Sequence, residues 1–148
     1  MTATERAIER VTAQLAHPRV VTFGTFDVFH VGHLSILERA RAHGASLVVG
    51  VSTDRLNAAK KGRAPVYPEH ERRRIIDGLR CVDGSFLEES LEDKRRYLEV
   101  AQADVLVMGD DWRGRFDHLG DVCEVRYLAR TPSVSTTATI ERIRSIPR

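Results

Sequence analysis

Disulfide pairing, membrane spanning and a dominant charge are all absent from this sequence. Its only two cysteines, Cys81 and Cys123, lie far apart and each among strand-like residues. That reads as two free thiols in a reducing compartment, not as a disulfide scaffold, and no Cys/His spacing suggests zinc. No apolar run approaches the roughly 20 residues a bilayer crossing needs. The charged stretch Met1–Arg19 lacks the apolar centre of a signal peptide, so a cytoplasmic protein with no membrane partner is expected. A net charge of +2 supplies no broad basic field, and no nucleic-acid partner is expected. Aromatics are few, with a single tryptophan, and there is no repeat, low-complexity tract or linker. What remains is ordinary: 148 residues, 42% apolar and 30% charged, enough for one well-buried domain.

Periodicity then sets the expected elements. Residues 2–16 read as a helix, with Thr2 and Glu5 at capping-box spacing, Ile8, Val11 and Leu15 near one face, and His17-Pro18 as its stop. Residues 1–19 are expected to form a helical extension that packs across a subunit boundary, and residues 20–148 the main domain. In that domain strands are expected at 20–26, 47–52, 81–86, 105–108 and 122–128. Helices are expected at 34–43, 69–79, 91–101 and 136–145, and a basic loop from Asn57 to Pro68. Strands that are apolar throughout and alternate with helices of about three turns imply a parallel sheet covered on both faces. The expected fold is a single doubly wound, Rossmann-like α/β domain.

Three segments carry chemistry. In Gly24-Thr25-Phe26-Asp27-Val28-Phe29-His30-Val31-Gly32-His33, two histidines sit at the mouth of a helix just past a strand's carboxyl end. Ligands bind there in open α/β sheets, and helix N-termini attract phosphate. The three-residue offset puts both imidazoles on one side of the first turn, with Gly32 between them allowing a ligand close to the backbone. Gly109-Asp110-Asp111-Trp112 ends an apolar strand. Its carboxylates suit a sugar hydroxyl, a basic side chain or a hydrated Mg²⁺, or simply a turn cap, and Trp112 suits core packing or a lid over a base. Finally, Arg130-Thr131-Pro132-Ser133-Val134-Ser135-Thr136-Thr137 brings hydroxyls and an arginine to a helix N-terminus, more than a cap requires and suited to a polyphosphate. Lys60, Lys61 and Arg63 form a basic cluster on the intervening Gly- and Pro-punctuated loop, as an arm closing over an anion would.

The first and third of these segments, with Ser52-Thr53-Asp54, Glu69-His70, Arg80-Cys81-Val82-Asp83, Val107–Trp112 and Cys123-Glu124-Val125, resemble the cytidylyltransferase family, most nearly its bacterial glycerol-3-phosphate cytidylyltransferases. The resemblance runs from about Val20 to Ile143 and implies transfer of CMP from CTP to an alcohol phosphate, here glycerol 3-phosphate. It implies a homodimer, a role in making a glycerol-phosphate surface polymer, and Mg²⁺ brought in on the CTP phosphates with no protein metal site. Thr25, Phe26, His30, His33, Arg63, Asp111, Arg130, Thr131, Ser135, Thr136 and Thr137 would then bind the nucleotide. His30, His33, Lys61 and Arg130 would be catalytic, with Lys61 favoured over Lys60 for the reacting phosphates. Lys60, Lys61, Lys94, Asp27, Arg72 and Arg80 would face the acceptor. Val31 stands where relatives carry tryptophan and Ala129 where they carry proline, which alters the walls of the site but not its charges. Two other readings keep the segments: a nucleotidylyltransferase with another base or acceptor (phosphoethanolamine with CTP, a sugar phosphate or FMN with ATP), and a nucleotide-binding regulatory domain without catalysis.

Overall fold

Strict alternation of side chains along the strands decides which residues meet in this fold. The computed structural model describes residues 1–130 and 134–148. Its five strands are β1 (Arg19–Gly24), β2 (Ser46–Ser52), β3 (Gly84–Glu88), β4 (Val105–Gly109) and β5 (Glu124–Leu128). All pair in parallel in the order β3-β2-β1-β4-β5. The six helices among the described residues are α1 (Ala3–Thr12), α2 (Val31–Arg41), α3 (Asp54–Lys61), α4 (Glu69–Asp77), α5 (Lys94–Ala101) and α6 (Thr136–Arg144). No described helix is long and apolar enough to cross a membrane.

Successive strand residues point to opposite faces, and two cores result. Val21, Phe23, Val48, Phe86, Leu106 and Met108 pack against Ile8 of α1, Tyr97 and Leu98 of α5, and Leu119. On the other face Val20, Leu47, Val49, Val51, Val105 and Val107 pack against Leu37 and Ala40 of α2 and Ile76 of α4. The expected doubly wound architecture is therefore observed. β1 lies between β2 and β4, so the strand order reverses there and opens a crevice at the strands' carboxyl ends.

Several elements differ from their sequence-based expectation. The helix expected over 2–16 keeps its capping box, with Glu5 N donating to Thr2 Oγ1 at 3.0 Å, but stops at Thr12. Its Ile8 is fully buried in the core of its own chain, and Glu5 pairs with Arg96. The strand expected at 81–86 runs from Gly84 to Glu88. Asp83 first clamps Leu47, accepting from its N–H at 2.8 Å and donating its own N–H to Leu47 O, which fixes the register Val48↔Gly84 through Ser52↔Glu88. Only the first part of the loop expected from Asn57 to Pro68 differs: Asn57 to Lys61 end α3, because Thr53 caps it at Leu56 N and Ala58-Ala59-Lys60-Lys61 are strong helix formers, while residues 62–68 form the expected loop. Gly62, at φ +74°, ends that helix in the left-handed region. Cys81 is partly buried, Cys123 is buried, and both thiols are free.

Candidate active site

At the carboxyl end of β1 the chain does not run straight into α2. Phe26 and Val28 take positive φ, 55° and 47°, costly for a side-chain-bearing residue and for β-branched Val28 above all. The Asp27 carboxylate holds this turn. It accepts from the N–H groups of Val28 (3.0 Å), Val66 (2.7 Å) and Tyr67 (2.9 Å). A residue expected to face an acceptor is thus bonded to backbone, tying the first signature to the arm between α3 and α4. Arg72, also expected there, is fully buried. Its guanidinium donates to Thr25 O, Ser52 O, Tyr67 O and Asp54 Oδ1 at 2.8–2.9 Å and points at no open surface. Arg80 is exposed and follows α4 into the turn before β3, at the amino edge of the sheet. The structure does not bring it to the histidines of its own chain.

The histidines are locked by backbone. His30 caps α2, its Nδ1 accepting from Gly32 N–H at 3.0 Å, while His33 Nδ1 accepts from His30 N–H at 3.2 Å. Each neutral ring must therefore carry its proton on Nε2. The rings stack with centroids 3.8 Å apart, and His33 also lies against Phe26 and Phe29. This desolvation, and next the neighbouring His30, push the His33 pKa down to about 4, with Asp27 pulling weakly upward. Desolvation lowers His30 as well. Gly32 has a reason other than ligand access: a Cβ there would lie 2.8 Å from His30 Cε1 and 2.9 Å from Val134 Cγ1. Only glycine lets the first imidazole fold back over its own turn.

The second signature meets the first at this point. Ser135 caps α6, its Oγ accepting from Ala138 N–H at 3.0 Å, so this hydroxyl serves the helix. Thr136 Oγ1 donates to Asp27 O at 3.0 Å and lies 3.4 Å from His30 Nε2. The ring's Nε2–H thus points at the α6 N-terminus. Thr137 is exposed, and Thr131 lies outside the described residues. Arg130, past the end of β5, lies 3.7 Å from Asp111 past the end of β4, and Trp112 is partly exposed against Phe116 and so is no core residue. Lys60 and Lys61 occupy the last turn of α3 with Arg63 just beyond, all three solvent-exposed.

Lys94 is buried at the start of α5 and paired with Glu88, which ends β3. Three contributors escaped the sequence reading. Glu88 is one. Buried Asn57 accepts from the Thr25 hydroxyl at 2.8 Å and donates to Ser52 O and Thr53 O, and Ser52 donates to Glu88 at 3.1 Å. For Ser52 and Glu88 the signal is faint, a polar residue closing each of two strands at one sheet edge; Asn57, inside α3, carries no such signal. Asp27, Asp110 and Asp111 are each engaged by backbone amides or arginine, and no three-residue group suited to a metal occurs among the described residues.

Comparison with known proteins agrees with this geometry. Residues 21–142 match a family described as cytidylyltransferase-like. The chain is 46% identical to the glycerol-3-phosphate cytidylyltransferase of Bacillus subtilis over 84% of its length and 96% of that protein. It is 43% identical to the Staphylococcus aureus protein of the same name over 80% and 89%. Among solved structures, a lipopolysaccharide core biosynthesis protein from Thermoplasma volcanium superposes with a TM-score of 0.65 at 26% identity, covering 76% of this chain and 97% of that one.

Proposed function

The chain belongs to the cytidylyltransferase-like family, and on that premise we propose that it transfers CMP from CTP to glycerol 3-phosphate, giving CDP-glycerol and pyrophosphate. The nucleotide half rests chiefly on the meeting of the two signatures, with His30 Nε2 facing Thr136 at the α6 N-terminus. The acceptor half rests on likeness to glycerol-3-phosphate cytidylyltransferases across nearly their whole length.

In this reaction a phosphate oxygen of the acceptor attacks the α-phosphorus of CTP in line with the bridging oxygen. The new P–O bond forms as the bond to that oxygen breaks, and pyrophosphate leaves with the electron pair. The acceptor is already an anion at neutral pH (second phosphate pKa about 6), so no general base is required. The difficulty is bringing two anions together and holding the charge that moves to the leaving group. His30 and His33 are suited to this as neutral, pre-aimed N–H donors that cost no reorganisation. Lys61 first, Lys60 second, and Arg63 supply mobile cations from the end of α3, and Arg130 supplies one beside the second signature. Thr25, Phe26, Asp111 and Ser135 through Thr137 line the nucleotide side, and Thr131 belongs to the same set. CTP enters as its Mg²⁺ complex. We further propose a cytoplasmic homodimer serving synthesis of a glycerol-phosphate polymer, which the free thiols and the family likeness support.

Pyrophosphate release, followed with CTP or ATP across a panel of alcohol phosphates, tests the activity. Turnover is expected with CTP and glycerol 3-phosphate. Fast turnover with ATP and none with CTP would refute the reading. Light scattering tests the dimer.

A further inference from the structure

Lys94 has an unusual setting for a lysine. It opens α5, is 5% exposed, and its ammonium lies 3.9 Å from the centroid of the Phe23 ring, with Phe116 on another side. Its ionic partner is Glu88, the last residue of β3, itself 1% exposed. The other Glu88 oxygen accepts from Ser52 Oγ at 3.1 Å, and Ser52 is the last residue of β2. Pair and serine thus lie at the carboxyl edge of the sheet, one strand from the turn that carries Thr25. Lys60, at the exposed end of α3, feels the same carboxylate: partial desolvation lowers its pKa, Glu88 raises it, and Lys61 and Lys94 lower it. The Glu88 carboxylate is thus paired with Lys94 and adds a longer-range attraction for Lys60. A buried ion pair adds little net stability over an apolar replacement, so charge retained at this edge calls for a reason besides folding.

We propose that Glu88 is a positioning residue for acceptor binding, its carboxylate holding the Lys94 ammonium at the edge of the sheet where the acceptor phosphate must arrive. The inference rests on the reading of Lys94 as an acceptor contact and goes beyond it by naming what keeps that contact in place. An ammonium has three donors. One meets Glu88, which leaves Lys94 able to bond a phosphate oxygen without leaving its partner. Glu88 also preserves the charge. Desolvation pushes the Lys94 pKa down, and the charge and hydrogen bond of Glu88 push it back up. The charged groups facing Lys94 are Glu88 on β3 and Lys60 on α3, while β1 and the segment after β4 offer only the Phe23 and Phe116 rings.

The test compares wild type, Glu88→Gln, Glu88→Asp and Lys94→Met in steady-state kinetics from pH 6.5 to 9.5, with circular dichroism to verify folding. Glu88→Gln keeps the shape but not the charge. It should raise the KM for glycerol 3-phosphate at least about tenfold, the size of losing one charge-assisted hydrogen bond, with the KM for CTP within about twofold. Its acceptor KM should climb further as pH rises, since Lys94 loses its proton earlier, while the wild-type value stays flat well above neutrality. An unchanged acceptor KM and pH profile, or an equal rise in both KM values, overturns the proposal. Should Glu88→Gln fail to fold, Glu88→Asp decides: its retracted charge must raise the acceptor KM yet keep the pH profile flat, and an unchanged acceptor KM overturns the proposal. Lys94→Met separates the two layers. If it leaves the acceptor KM unchanged, the assignment of Lys94 itself is wrong. If it raises that KM while Glu88→Gln does not, only the role of Glu88 fails.

Discussion

Replacing Arg72 by methionine should cost folding stability first and activity second. The side chain is fully buried and makes four hydrogen bonds, three to main-chain carbonyls and one to Asp54. Methionine matches much of its length but none of its donors. Ser52 O retains a weak partner in Asn57 at 3.4 Å, and the Asp54 carboxylate, 35% exposed, can return to water. Thr25 O and Tyr67 O are left with no donor in their place. At about 1–3 kcal/mol per orphaned, part-buried carbonyl, plus the lost ion pair, the expected cost is about 3–5 kcal/mol, the range for removing one partner of a buried charge. That is a large share of the roughly 5–15 kcal/mol a domain possesses. With a urea m-value of about 2 kcal/mol/M the unfolding midpoint should fall by about 2 M, and the melting temperature by about 10 °C. Urea titration at pH 7, followed by far-UV circular dichroism, measures this directly. Arg72→Lys should recover little, because one ammonium cannot reach four acceptors held around a planar fork. A stability loss under about 1 kcal/mol together with a raised KM for glycerol 3-phosphate would refute this reasoning and return Arg72 to the substrate.

Other outcomes follow from the same geometry. His33→Ala should fold normally and lower kcat at least about a hundredfold, the usual loss for an electrostatic stabiliser; near-normal turnover in stopped-flow or steady-state assays would remove its assigned role. His33 also ties stability to pH. Its folded pKa of about 4 lies below the ordinary 6.5, so the unfolded chain takes up a proton that the folded chain refuses. The stability is fully present above about pH 6.5 and is lost as pH falls from there toward 4. Screening reduces this to on the order of 1–2 kcal/mol, and urea midpoints at pH 7.5 and 4.5 should differ less in His33→Gln than in wild type; equal differences would count against it. Ile8→Ala should cost about 2–4 kcal/mol for a fully buried aliphatic, and a change under about 0.5 kcal/mol in urea titration would mean that α1 is detachable. Asp27→Asn should loosen the arm it holds at Val66 and Tyr67, seen as faster tryptic cleavage after Lys61 or Arg63; cleavage at the wild-type rate would contradict the clamp.

Period and punctuation explain why so much of the fold could be read in advance. Continuous apolar runs at 20–23, 47–51 and 105–108 can be satisfied only by strands covered on both faces, and the helices between them dictate parallel pairing. The misread segments are those where composition and local propensity disagree. Lysines 60 and 61 looked like loop residues, yet Thr53 caps a helix that runs to them. The apolar Cys81 and Val82 suggest an earlier start for β3 than Gly84. Its true position is set by the Asp83–Leu47 clamp, a contact between residues that no local pattern connects. The histidine turn was recognisable because its chemistry is local: helix start, imidazoles and glycine all lie within a few residues.

Roles that depend on partners far along the chain were not recognisable in that way. Asp27, Arg72 and Lys94 are equally charged on paper, but strand register and helix packing send the first two to main-chain groups and the third to Glu88. The sequence by itself determined a doubly wound α/β domain with a phosphate-facing histidine turn, because hydrophobic period and helix-start chemistry are short-range properties. Only the tertiary structure decided that both imidazoles carry their proton on Nε2, that Gly32 makes room for His30, and that Lys94 is buried against Glu88. The reason is physical: burial and hydrogen-bond direction exist only once distant segments are packed together.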